Sequence, residues 1–74
     1  MKGKVSMGYN AGYKIIKRVN IGEADILLGY NKSSMSPYVT WKTKAGETNP
    51  YWGNYFCDKL SAVKDFDRRV RIGT

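Results

Sequence analysis

Few side chains in this chain of 74 residues could do covalent or metal chemistry. It contains no histidine and a single cysteine, Cys57, which excludes Ser-His-Asp and Cys-His catalysis, histidine-ligated metals, four-cysteine zinc sites and internal disulfides. Cys57 is therefore expected to be a structural thiol, either buried or at a helix N-terminus. Asp65 and Asp67 are two residues apart on a predicted helix, so their carboxylates point in different directions. We expect a binding protein rather than an enzyme, with no cofactor and no metal.

Positive charge and aromatic rings dominate the remaining functional side chains. Lysine and arginine number 13 and aspartate and glutamate 6, which gives a formal net charge of +7, and aromatic residues make up 14% of the chain. Cations neutralise phosphates, while rings stack on bases. The composition therefore favours a module that binds nucleic acid.

Hydrophobic patterning predicts the elements that must position these side chains. Alternation of apolar and polar residues predicts four strands, with a turn at Gly22-Glu23 and either a bulge or a close backbone approach at Gly53. The strands are expected at residues 13–21, 24–30, 38–43 and 51–56. Apolar residues then recur with a helical period, which predicts a helix from its N-cap Asp58 to about residue 71. The apolar positions of this helix are Ala62, Val63, Phe66 and Val70.

This order of elements, β-β-β-β-α, predicts a single small α+β domain at residues 13–74. Short loops favour an antiparallel meander of three to four strands, with the C-terminal helix packed on one face. Residues 1–12 are predicted to form a flexible basic arm. Its Lys2 and Lys4 are candidates for contact with a phosphate backbone or a minor groove, and the alternative is a solubilising tail.

The face of the sheet turned away from the helix is the predicted binding surface. Val39 and Trp41 form the more apolar half of their strand and are therefore predicted to face the helix, as are Trp52 and Phe56. The outer face would then combine cations with tyrosines: Lys14, Arg18, Tyr38, Thr40, Lys42, Tyr51 and Tyr55. Tyrosines on exposed strands also serve cross-strand packing, and lysines protect sheet edges, so these structural roles are the alternative.

Three segments resemble a group of small proteins encoded by phages and conjugative elements of Gram-positive bacteria. They are residues 36–41 (SPYVTW), residues 51–58 (YWGNYFCD), and Asp65-Phe66-x-Arg68-Arg69 after Ala62. The resemblance covers roughly residues 13–70. It implies an accessory protein of a mobile element, acting in the cytoplasm of the host cell.

The layout of strands and helix is also similar to two kinds of DNA-binding domain. The Trp-Gly pair followed by Phe56, Asp58, Ala62 and Phe66 resembles the plant ethylene-response-factor domain and the arm-binding domain of tyrosine recombinases. Both lay a three-stranded sheet into the major groove and present several arginines from it. Here the third and fourth strands offer only Lys42, so base-specific reading by arginine is not expected. Backbone, single-strand or ribonucleoprotein binding is favoured instead.

Two functions of different classes follow from these observations. The first is a non-enzymatic accessory module that binds DNA, RNA or a ribonucleoprotein through the basic, tyrosine-rich sheet face. The second is an anti-defence inhibitor, similar to an anti-CRISPR protein, that binds a host nuclease complex. No stretch has the roughly 20 apolar residues of a membrane span, and no signal peptide is evident, so a cytoplasmic location is expected. An exposed edge strand, Tyr13–Ile21, could pair across a homodimer.

Overall fold

The structure is a computed structural model that describes residues 8–46 and 53–72. One antiparallel sheet contains five strands in chain order, and a helix follows them. The elements are β1 Tyr9–Asn10, β2 Tyr13–Ile21, β3 Ala24–Tyr30, β4 Tyr38–Lys44, β5 Gly53–Phe56 and α1 Lys59–Ile72. The α+β meander with a C-terminal helix is confirmed. The sheet has one strand more than predicted, because β1 lies within the residues that were assigned to the arm.

Two tight turns close the first two hairpins. Gly22, the first residue of the predicted Gly22-Glu23 turn, has φ of +75°, the left-handed geometry that favours glycine at this position of a two-residue hairpin. In the β1–β2 turn both central residues have positive φ, 53° at Ala11 and 85° at Gly12. This is the pattern of a type I′ turn, whose twist matches that of the strands. It explains why β1 forms although it has only two residues.

Helix α1 is capped and docked by two aspartates. Asp58 accepts a hydrogen bond from the Ser61 backbone N–H at 2.9 Å, which confirms its predicted role as N-cap. Asp65, one turn into the helix from the buried Ala62, reaches the sheet: the Thr40 hydroxyl donates to its carboxylate at 2.6 Å. Arg69 donates to the same carboxylate at 3.0 Å in the predicted i,i+4 pair.

The helix covers one face of the sheet, which we call the helix face. Its core consists of Ile26, Leu28, Ala62 and Phe66, and Tyr38 and Phe56 pack against it. Lys17 holds its ammonium group 5.2 Å from the centroid of the Phe66 ring. The apolar helix positions inferred from the sequence are thus confirmed as the packing side of α1.

The opposite face, which we call the second face, has its own buried core. It contains Tyr13, Ile15, Leu27, Val39 and Trp41. The prediction that Val39 and Trp41 face the helix is therefore wrong. The sheet is curled and both of its faces are packed, so the more apolar half of β4 does not identify the helix side. A register shift between Ile15 and Lys17 also moves β2 residues from one face to the other.

Candidate nucleic-acid interface

A row of ring-bearing residues and one lysine crosses all five strands at one end of the sheet. The strand register places its members directly opposite one another on the helix face. In strand order they are Tyr9, Lys14, Tyr30, Tyr38 and Phe56. The last two pack on the helix core, whereas Tyr9 is 71% exposed and Lys14 is exposed. We call the other three members, Tyr9, Lys14 and Tyr30, the free half of the row; in strand order they are a ring, a cation and a ring.

An open groove of about 480 Å³ lies along this free half. Besides the three row members and Gly12, it is lined by the start of the β3–β4 loop, Asn31, Lys32 and Ser33. The lining contains two lysines and no carboxylate. Glu23 and Asp25 are at the other end of the β2–β3 hairpin, roughly 20 Å along the strands from Lys14. The groove therefore has a positive local charge, which suits an anionic ligand.

The loop that forms one wall of the groove is held by its own hydrogen bonds. The Asn31 backbone N–H donates to the Pro37 carbonyl at 2.8 Å and closes the loop. The Asn31 side-chain oxygen accepts from the Ser33 backbone N–H at 2.9 Å. From β2, the Tyr13 hydroxyl donates to the Ser36 carbonyl at 2.7 Å. The wall is thus ordered before any ligand arrives, which lowers the entropic cost of binding.

The predicted binding set is divided among separate places. Lys14 lies in the groove, and Tyr38 lies in the same row but packs toward the helix. Lys42 pairs with Ile26 near the opposite end of the sheet, on the helix face. Tyr55 is on the second face, 5.8 Å from Tyr13 between ring centroids, and is 50% exposed. The single outer face of cations and tyrosines is therefore not formed, because β4 presents its alternate residues to the sides opposite to those predicted.

Arg18 has a structural partner in place of a phosphate. Its Nε and Nη2 lie 2.8 and 2.7 Å from one oxygen of the buried Asp25 carboxylate. Asn20 and the Gly46 backbone N–H also donate to this carboxylate, at 2.9 and 3.1 Å. Burial raises the pKa of Asp25, but the hydrogen bonds from Asn20, Gly46 and Arg18 outweigh it and lower the pKa below 3.8. These hydrogen bonds connect the β2–β3 hairpin to the turn after β4.

Of the seven residues that line the groove, only Lys14 was predicted from the sequence as a binding residue. Tyr9 and the segment of residues 30–33 are far apart along the chain, and the strand register brings both of them to Lys14. The sequence signal that could have indicated the groove is Tyr30-Asn31-Lys32, which places a ring and a cation where β3 ends in a turn. The candidates Lys2, Lys4 and Tyr51 lie outside the described residues. Cys57 is exposed and directly precedes the N-cap, in agreement with the second of its two predicted positions.

We also searched the described residues for a metal site and a membrane span, and compared the chain with known proteins. Among residues 8–46 and 53–72, no three acidic or cysteine side chains converge as metal ligands would. The described helix is too short and too polar to cross a membrane. The chain matches no protein-family model, no curated protein and no solved structure at significant similarity.

Proposed function

We propose that the protein binds nucleic acid, without catalysis, through the groove formed by Tyr9, Lys14, Tyr30 and the loop residues Asn31, Lys32 and Ser33. The observation that carries the proposal is the row in which exposed Lys14 lies between two tyrosines, with no carboxylate in the lining. Lysine ammonium groups contact phosphates, and rings pack on bases or sugars. The resemblance to proteins of phages and conjugative elements adds the setting, an accessory protein in the host cytoplasm.

Binding should depend strongly on salt and on the two groove lysines. Fluorescence anisotropy with a labelled oligonucleotide, between about 50 and 200 mM salt, gives the slope of log affinity against log salt. In the double variant Lys14→Gln/Lys32→Gln we expect weaker binding and a slope reduced by about 1.4 to 1.8, because each lost phosphate contact removes about 0.7 to 0.9.

The matched control is Lys44→Gln/Lys64→Gln, which removes the same net charge from exposed lysines outside the groove. It should change the slope much less. Equal effects of the two double variants would show that net charge, rather than the groove, drives binding. An absence of binding to any oligonucleotide at about 50 mM salt would contradict the proposal and favour a protein partner, as in the anti-defence alternative.

A further inference from the structure

The spacing of the two groove tyrosines restricts the form of nucleic acid that they can contact. Tyr9 and Tyr30 are each directly opposite Lys14, on its two neighbouring strands. Adjacent strands are about 4.8 Å apart, so the two tyrosine backbones are separated by about 10 Å with the lysine between them. Bases in a duplex strand follow one another every 3.4 Å or so and expose only their edges in the grooves. The tyrosine rings can therefore reach base faces only where the bases are unstacked.

We infer that the groove takes unpaired nucleotides, with one base on Tyr9, a second on Tyr30 and a phosphate at Lys14; this inference rests on the proposed function. Base–ring stacking is the mode by which proteins hold single strands. The volume of about 480 Å³ falls within the range of pockets that hold small molecules, so the groove fits nucleotide units rather than the side of a duplex.

The surroundings of each ring suit this role. Tyr38 packs against Tyr30 with ring centroids 4.9 Å apart and supports it from the helix side. Tyr9 lies in β1 beside the tight β1–β2 turn, and it is exposed and lines the groove. Two further groups suit a polar ligand: Lys32 adds a second charge, and the side-chain nitrogen of Asn31, Nδ2, has no acceptor among the described residues. That nitrogen can donate to a phosphate oxygen or to a base carbonyl.

Affinity for strands and duplexes of one sequence tests the inference. Anisotropy titrations at about 50 mM salt would compare a DNA strand, the RNA strand of the same sequence and the two corresponding duplexes. We expect one or both strands to bind more tightly than their duplexes. Tyr9→Leu and Tyr30→Leu should each weaken strand binding by about 5- to 150-fold, the usual loss for one stacked base. Tyr9→Phe and Tyr30→Phe, which keep the ring, should bind as the parent does.

Tyr55→Leu is the matched control, because it removes an exposed tyrosine from the second face. Circular dichroism would confirm that the Tyr30 variants are folded, and Tyr9→Leu alone suffices if Tyr30→Leu is not. Duplex binding as tight as strand binding would overturn this inference and leave the proposed function standing. A Tyr9→Leu loss no larger than that of Tyr55→Leu would also overturn it. Failure of every oligonucleotide to bind would remove the inference and the proposed function together.

Discussion

Trp41 is the residue that most restricts its neighbours. It is fully buried on the second face, and its indole lies against two glycines on the flanking strands. A Cβ at Gly29 would come 2.8 Å from Trp41 Cζ3, and a Cβ at Gly53 would come 2.7 Å from Val39 Cγ2 and 2.9 Å from Trp41 Nε1. These distances are shorter than ordinary van der Waals contact, so both strands need glycine beside the side chains of Trp41 and Val39.

The substitution Gly29→Ala should therefore destabilise the protein through overpacking. We expect the free energy of unfolding, measured by urea denaturation, to fall by about 1–3 kcal/mol. In a Trp41→Phe background, where the ring is smaller, the same substitution should cost less, because the two residues are in contact and their effects are not additive. An equal cost in both backgrounds would show that the Trp41 ring is not the obstacle.

Single residues were predictable from sequence where a local rule applies to them. Asp58 was identified as the N-cap because capping depends on residues three positions apart. Gly53 was identified as either a bulge or a close backbone approach, because glycine is unfavourable in a strand without such a reason. The side chains that approach Gly53, those of Val39 and Trp41, were not predictable. The contact with Trp41 joins two strands, so it depends on the register between them.

Among the elements, the β1–β2 hairpin departs most from local preference. Ala11 has φ of 53°, a left-handed conformation that costs an L-residue with a Cβ roughly 1–2 kcal/mol. Glycine at this position would remove that cost. Part of the gain in stability would be lost, because glycine gives the unfolded chain more conformational freedom. The alanine is therefore a strained residue in the turn that positions Tyr9.

Replacing this residue, Ala11→Gly, should stabilise the protein by about 0.5–1 kcal/mol. Thermal unfolding followed by circular dichroism would show the higher midpoint. Ala45→Gly serves as the control, because Ala45 is also an exposed turn residue but does not have positive φ. It should give no gain. A loss of stability in Ala11→Gly would mean that the β1–β2 turn adopts another conformation in solution.

The elements themselves were largely predictable, and their faces were not. The bounds of β2 and β3 follow from alternation and from the turn at Gly22, which are properties of neighbouring residues. Alternation along β4 separates Val39 and Trp41 from Tyr38 and Thr40, but it carries no information on which set meets the helix when both faces are buried. The groove was also missed, because its row runs across the strands. Patterns along the chain do not show which residues of different strands lie opposite one another.

At the scale of the whole molecule, the excess of positive charge makes the few carboxylates important for stability. Asp25 connects two strands and a turn, Asp58 caps the helix, and Asp65 docks the helix on the sheet. All three have pKa values lowered from 3.8. When the pH falls below their lowered pKa values, protonation of the three aspartates would remove these contacts and half of the six acidic charges that offset 13 lysines and arginines.

Asp65 provides the sharpest test of this acid sensitivity. Burial raises its pKa, but hydrogen bonds from Thr40, Arg68, Asn54 and Arg69 outweigh burial and lower the pKa to about 2. A carboxyl group with a lowered folded-state pKa stabilises the fold above its unfolded-state pKa, and this contribution is lost as pH falls through the folded value. The stability contributed by Asp65 should therefore be complete above about pH 4 and decline toward pH 2.

The substitution Asp65→Asn should remove that contribution and lower the free energy of unfolding by about 1–3 kcal/mol near neutral pH. Urea denaturation of both proteins between pH 6 and about pH 2.5 would show the parent losing stability more steeply, so that the two curves converge in acid. General charge repulsion acts on both proteins, and the difference between the curves isolates Asp65. A difference that stays constant across this range would mean that the Asp65 contacts with Thr40 and the arginines do not depend on its charge.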